Sequence, residues 1–195
     1  MDLPPGPSSQ RLIFTSHGTF LHHIAWSPPP DHSWKLNFAG HVTDQDLGIA
    51  GAACIIRDED AIFKACCATP LKYAKSIVLA ELVALINGLE IAVSLGIECL
   101  EIEGDCNFLF HLLDGLVPAS SPVMKDLIDN CLKLLQGFRS VKFHRVKIIS
   151  NQAANMLAIL AVREREPSYW SKPPNAILGM LIEDVIGRWL PITDI

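Results

Sequence analysis

Two acidic side chains lie where apolar residues dominate the sequence. Glu81 falls in the segment AELVAL, and Asp105 ends the segment IECLEIEGD. A carboxylate within an apolar run costs free energy unless it is paired, which favours a role for Glu81 in a site. The alternatives are structural: Glu81 would be an exposed acid in a first helical turn, and Asp105 would be the N-cap of a short helix. The local sequence leaves both alternatives open.

Basic residues form a second group that could do chemistry. Four of them crowd the segment SVKFHRVKII, namely Lys142, His144, Arg145 and Lys147, and three more precede the longest helical pattern, namely Lys64, Lys72 and Lys75. Cationic side chains in such sets can line phosphates. The alternative is that they are ordinary solvated side chains on an acidic protein.

The six cysteines are scattered through apolar segments without a C-x-x-C pair: Cys54, Cys66, Cys67, Cys99, Cys106 and Cys131. A chain of this size builds a core without disulfides, so we predict buried, inert thiols. Histidines 17, 22 and 23 lie far from any cysteine in the sequence, which argues against a zinc site.

Composition restricts the class of protein. The 195 residues include 16 Lys plus Arg and 21 Asp plus Glu, a net charge of −5, and half are hydrophobic. The hydrophobic fraction excludes a disordered chain, and the negative net charge excludes a protein that binds nucleic acid through a uniformly basic surface. Acids interrupt the apolar region at 77–102, and the start MDLPPGPSSQ does not resemble a signal peptide. We predict a soluble intracellular protein, in cytoplasm or nucleus, with no membrane partner.

The elements that must position these residues follow from hydrophobic periodicity. Alternating segments predict strands at 34–40, 49–58, 61–69, 97–105 and 140–149, and three- and four-residue spacings predict helices at 76–95, 107–113, 123–137 and 152–164. Three consecutive strands form an antiparallel meander, and helix-linked strands add in parallel. The prediction is an α/β fold with a mixed five-stranded sheet and helices on its faces.

Four motifs in this order resemble the plant ribonuclease H-like family, a reverse-transcriptase-like ribonuclease H: WKLNFAG, AELVALINGLEIA, IEGD and NQAANMLA. The resemblance implies a ribonuclease H-like fold. We predict a proline-containing N-terminal extension at 1–33, the ribonuclease H-like domain at 34–165 and a C-terminal extension at 166–195.

The resemblance also implies a chemistry, because the family cleaves the RNA strand of RNA–DNA hybrids with two Mg²⁺ ions held by four carboxylates. Glu81 and Asp105 match two of these metal-binding, catalytic acids. Ala39 and Asn155 stand where the family has the other two. Arg145 aligns with a histidine that assists product release, and Ile148-Ile149 aligns with an Arg-Glu pair.

The resulting expectation is a degenerate member with lost or strongly reduced cleavage and weak or absent Mg²⁺. It would bind RNA or RNA–DNA hybrid through Lys142, Arg145, Lys147 and Asn151. One alternative is a weak Mg-dependent hybrid ribonuclease using Glu81 and Asp105, with Asp44 or Asp46 as a substitute acid. Another is a non-enzymatic scaffold that docks a protein partner through a C-terminal helix at 177–190.

Overall fold

A computed structural model of the protein describes residues 12–14, 20–24, 26–186 and 188–191. In chain order its elements are β1 (Leu12–Phe14), β2 (Phe20–Ile24), β3 (Trp34–Asp44), β4 (Ile49–Arg57), β5 (Phe63–Leu71), α1 (Ile77–Ser94), β6 (Cys99–Gly104), α2 (Asn107–Leu113), α3 (Pro122–Leu135), β7 (Ser140–Arg145), a 3₁₀ turn (Ile148–Ser150), α4 (Gln152–Ala161), β8 (Ser168–Trp170), α5 (Asn175–Ile186) and β9 (Arg188–Pro191). The first eleven residues of the predicted N-terminal extension, including Pro4 and Pro5, lie outside these residues.

The main sheet confirms the predicted α/β fold class and corrects its strand number. Its order is β7-β6-β3-β4-β5-β8, in which β3, β4 and β5 are antiparallel and β6 and β7 run parallel to β3. The sixth strand, β8, pairs antiparallel with the free edge of β5. Its three residues are too few to show an alternating pattern, so it was not predicted from the sequence.

The two faces of the sheet are covered by different helices. Even-numbered β3 residues such as Leu36 and Phe38 pack with α1, α2 and α3 in one cluster, whereas Ala39 packs with α4 and α5 in another. Helix α1 begins after Ser76 and stops before Gly96, whose φ of 68° suits glycine. Among the described residues, α1 alone has the length and hydropathy of a membrane span, and 56% of it is buried inside the fold.

Both flanking segments contact the second face of the sheet. Trp26 is 4% exposed, and its indole Nε1 donates to Asn37 Oδ1 at 3.0 Å. Arg57 lies 3.5 Å over the Trp26 ring and donates from Nη1 to Asp184 Oδ2 on α5 at 2.6 Å. A second antiparallel sheet, β1-β2-β9, joins the two segments directly.

The C-terminal segment is shorter as a helix than predicted. Helix α5 ends at Ile186, and Arg188–Pro191 forms β9 against β2 instead of continuing the helix to 190. Pairing with β2, more than a hundred residues away in the chain, overrides the local helical pattern, which periodicity alone could not show.

Candidate active site

The centre of β3 is the point on which the candidate site is built. Gly40 packs against α1 so closely that a Cβ atom there would lie 2.8 Å from Glu81 N and 3.0 Å from Glu81 Cγ. Any larger residue at position 40 would push α1 away from the sheet. The glycine therefore holds Glu81 beside β3.

Strand register brings Asp105 to the same place. Asn37 is the partner of Glu103 in the parallel β3–β6 pair, and Asp105 follows directly after β6 ends at Gly104. Because the two strands run parallel, Asp105 comes at the same end of the pair as Ala39 and Gly40. Asp105 is close enough to Glu81 to raise the pKa of that carboxyl.

Helix α4 reaches β3 through Asn151. This side chain is 2% exposed, and its Nδ2 donates to Phe38 O at 2.8 Å. One turn later, Asn155 Nδ2 donates to Asn151 O at 3.0 Å. Asn151 was predicted to contact nucleic acid; its amide nitrogen is instead occupied inside the protein, where it positions α4 and Asn155.

Glu81 is a buried acid with an unsatisfied oxygen. It is 4% exposed, and its Oε2 has no hydrogen-bond partner within the described structure. The pKa of Glu81 is raised to about 7, chiefly by burial; a hydrogen bond with Cys106 opposes the rise, and the nearby charge of Asp105 adds to it. The alternative of an exposed first-turn glutamate is thus wrong.

Cys106 is a site neighbour that the sequence analysis missed. Burial and the nearby Glu81 raise the pKa of its thiol to about 11, so it is a neutral S–H group beside the carboxyl. Its position directly after Asp105 in EGDCN was the available signal.

We expect this burial to make stability depend on pH. The carboxyl of Glu81 has an ordinary pKa of 4.5 and a folded pKa of about 7. Between these values the folded state binds more protons, so the free energy of unfolding falls as pH rises. Each tenfold change in proton affinity is worth about 1.4 kcal/mol, so a shift from 4.5 to about 7 limits the loss to about 3–4 kcal/mol.

The measurement is urea unfolding from pH 4.5 to 8 for the wild type and Glu81→Gln. The variant lacks the titrating group, so its curve should be flatter and should lie above the wild-type curve at pH 8. Asp105→Asn, which removes the charge that raises the pKa of Glu81, should make the fall in stability end at a lower pH than in the wild type. Parallel curves for wild type and Glu81→Gln would contradict the burial of this carboxyl.

The residues present fit one divalent cation better than two. Glu81 and Asp105 supply carboxylates, and the free Oε2 of Glu81 is a suitable oxygen ligand. Ala39 supplies no donor, and no cluster of three or more His, Cys, Asp or Glu that could hold a metal occurs in the described part of the chain. The donor set does not fit a two-metal centre.

A cavity of about 590 Å³ opens beside Asp105. Its wall consists of Asp105 and residues 145–149, from the last residue of β7 onward, which contribute the cationic side chains of Arg145 and Lys147. Lys142 is exposed on β7 opposite Glu101 and does not line this cavity. Two of the four predicted nucleic-acid-binding residues therefore face the candidate site.

One of the two substitute acids, Asp44, and one of the other lysines, Lys64, lie away from the candidate site. Asp44 follows Ala39 along β3 by about 16 Å at about 3.3 Å per residue, and its Oδ1 accepts from Leu47 N at 2.9 Å. Lys64 pairs with Asp58 at the opposite end of the sheet, over the ring of Trp34.

The sheet order, with carboxylates on α1 and at the end of β6, defines a ribonuclease H-like domain. The chain belongs to the reverse transcriptase-like family, whose model matches residues 37–161. No curated protein matches the chain.

Solved structures show the same fold. The N-terminal RNase H domain of rv2228c from Mycobacterium tuberculosis, in a fusion with maltose binding protein, is 22% identical with a TM-score of 0.62, covering 67% of this chain and 94% of that one. RNase H1 from Halobacterium salinarum is 24% identical with a TM-score of 0.62, covering 67% and 98%. LC11-RNase H1 in complex with RNA/DNA hybrid is 18% identical with a TM-score of 0.59, covering 67% and 96%.

Proposed function

We propose that this chain binds RNA–DNA hybrid at the cavity beside Asp105 and that hydrolysis by two metals is lost or strongly reduced. The observation that supports the proposal is the closeness of Glu81 to Gly40 and to Asp105, with Arg145 and Lys147 beside Asp105 on the wall of the cavity. The LC11 enzyme, which shares the fold, is described in complex with such a hybrid.

The reduced chemistry follows from the donor set. Two-metal hydrolysis needs ligands that place both ions about 4 Å apart, so that they stabilise the attacking and leaving oxygens. Ala39 is fully buried and carries no oxygen on its side chain. A single Mg²⁺ bound at Glu81 and Asp105 would still offset their charge and attract a phosphate. Without it, the site is an acidic pair flanked by two cations.

Binding to backbone phosphates gives the test of this proposal. Fluorescence anisotropy with a labelled RNA–DNA hybrid, repeated over a salt series, measures affinity and its salt dependence. Arg145→Ala plus Lys147→Ala should weaken binding and reduce the slope of log K against log salt by about two, about one per lost phosphate contact. The matched control is Lys125→Ala plus Lys133→Ala, which removes the same charge from α3, away from the cavity.

Equal losses in both double variants, or no binding by the wild type, would contradict the proposal. A parallel incubation of hybrid with Mg²⁺ or Mn²⁺ tests cleavage, with Glu81→Gln plus Asp105→Asn as control. Metal-dependent cleavage that this control abolishes would instead support the weak ribonuclease.

A further inference from the structure

Two cysteines face each other between the central strands, on the sheet face that packs against α1. Cys54 on β4 and Cys67 on β5 are directly opposite in the antiparallel register, and their Sγ atoms are 3.2 Å apart. Both thiols are free and both side chains are in the core. The two cysteines are 13 positions apart in the sequence, a spacing that does not by itself indicate that they are paired.

One member of the pair borders a cavity. A space of about 390 Å³ is lined by residues of β5, α1 and β8, and Cys67, Asn87 and Tyr169 are among them. Cys67 is 7% exposed, whereas Cys54 is fully buried. A small oxidant entering from this side meets Cys67 first, and Cys54 lies directly behind it.

The polar surroundings assign different roles to the two thiols. Hydrogen bonds from Cys54 and Asn87 lower the pKa of Cys67, whereas the same contact and burial raise the pKa of Cys54. The thiolate is the nucleophile in thiol chemistry. Cys67, which borders the cavity and has the lowered pKa, is therefore the attacking sulfur, and the fully buried Cys54 is the second thiol of the pair.

We propose that Cys67 and Cys54 form a peroxide-sensitive pair in which Cys67 is oxidised first and Cys54 resolves it. The Cys67 thiolate attacks a hydroperoxide, its O–O bond breaks, and the products are a sulfenic acid at Cys67 and an alcohol or water, which takes up the thiol proton. The Cys54 thiol then displaces hydroxide from that sulfur. An S–S bond forms, one water leaves, and the peroxide has accepted two electrons.

The strand geometry accommodates this product. Directly opposite residues of an antiparallel pair have Cα atoms about 4.5–5.5 Å apart. Disulfides span Cα separations of about 4.4–6.8 Å. The Cys54–Cys67 disulfide can therefore form without separating β4 from β5. Cys131 on α3 is also a buried thiol, but it has no cysteine opposite it and forms no such bond.

Peptide mapping of the wild-type protein tests the proposal. The folded protein is treated with hydrogen peroxide, denatured, alkylated and digested. We expect a Cys54–Cys67 linkage that dithiothreitol reverses, with the remaining four cysteines alkylated. If Cys67 is found alkylated after peroxide treatment, or if Cys66 forms the linkage in place of Cys67, the proposal is overturned.

Two variants separate the steps. Cys54→Ala should stop the reaction at the sulfenic acid, so that dimedone labels Cys67. Cys131→Ala, the matched control, should form the Cys54–Cys67 linkage at the wild-type rate. Absence of the dimedone adduct in Cys54→Ala, with the wild type forming the disulfide, would show that Cys67 is not the oxidised member.

Discussion

Ala39→Asp plus Asn155→Asp is expected to make the stability of this protein depend on Mg²⁺. The two acids would join Glu81 and Asp105 around the centre of β3. Without metal, four clustered carboxylates repel one another and lose solvation, which should lower the free energy of unfolding by about 3 kcal/mol. Mg²⁺ at a hundred times its Kd would return about 2.7 kcal/mol.

Thermal unfolding in EDTA and in Mg²⁺, with calorimetric titration of the metal, measures both effects. Each single variant should bind metal less tightly than the double variant, because ligands that hold one metal pair act as a unit. Ala39→Asn is the matched control, since it has nearly the volume of aspartate and no charge. If the double variant melts at one temperature with and without Mg²⁺, positions 39 and 155 do not face a metal site.

Asp184→Ala is expected to lower the free energy of unfolding by about 3–5 kcal/mol, because it leaves the buried Arg57 without its charge partner. The side chains of Arg57 and Asp184 are only 3% and 10% exposed, and their atoms lie 2.6 Å apart. Burial lowers the pKa of Arg57 and raises the pKa of Asp184. Desolvation thus opposes the pair, and breaking it costs more than the pair contributes.

Urea unfolding of three variants separates these effects. Replacing both partners, Arg57→Met plus Asp184→Leu, should cost much less than Asp184→Ala, since no unpaired charge stays buried. Glu98→Ala removes an exposed ion pair with Arg139 and should leave stability almost unchanged. A loss in Asp184→Ala no larger than in Glu98→Ala would show that α5 does not depend on Arg57.

The contacts of Arg57 with Trp26 and Asp184 cross the predicted domain limits. The prediction of a domain at 34–165 places Trp26 and Asp184 in the two extensions, yet both side chains contact Arg57 on β4. The family model matches residues 37–161, which include neither Trp26 nor Asp184. That residues 34–165 form the domain stays a prediction. The loss in free energy of unfolding in Asp184→Ala measures how much this domain depends on a residue beyond 165.

The sequence determined the elements that periodicity can encode. The spacing in 76–96 gave α1 with Ser76 and Gly96 at its ends, and alternation gave β3 to β6 in their order. It also determined that the side chain at position 39 offers no oxygen ligand, because alanine has none in any fold. These properties reside in neighbouring residues, so local sequence suffices for them.

Only the tertiary structure decided what long-range contacts create. The end of β6 brought Asp105 close to Glu81, and the closeness of Gly40 to α1 buried Glu81 and raised its pKa. Asn151 turned inward to Phe38, β8 formed on the edge of β5, and Cys54 met Cys67 across two strands. Each of these features depends on the strand register or on burial by residues far apart in the chain. Neither the register nor the burial exists until the sheet has formed.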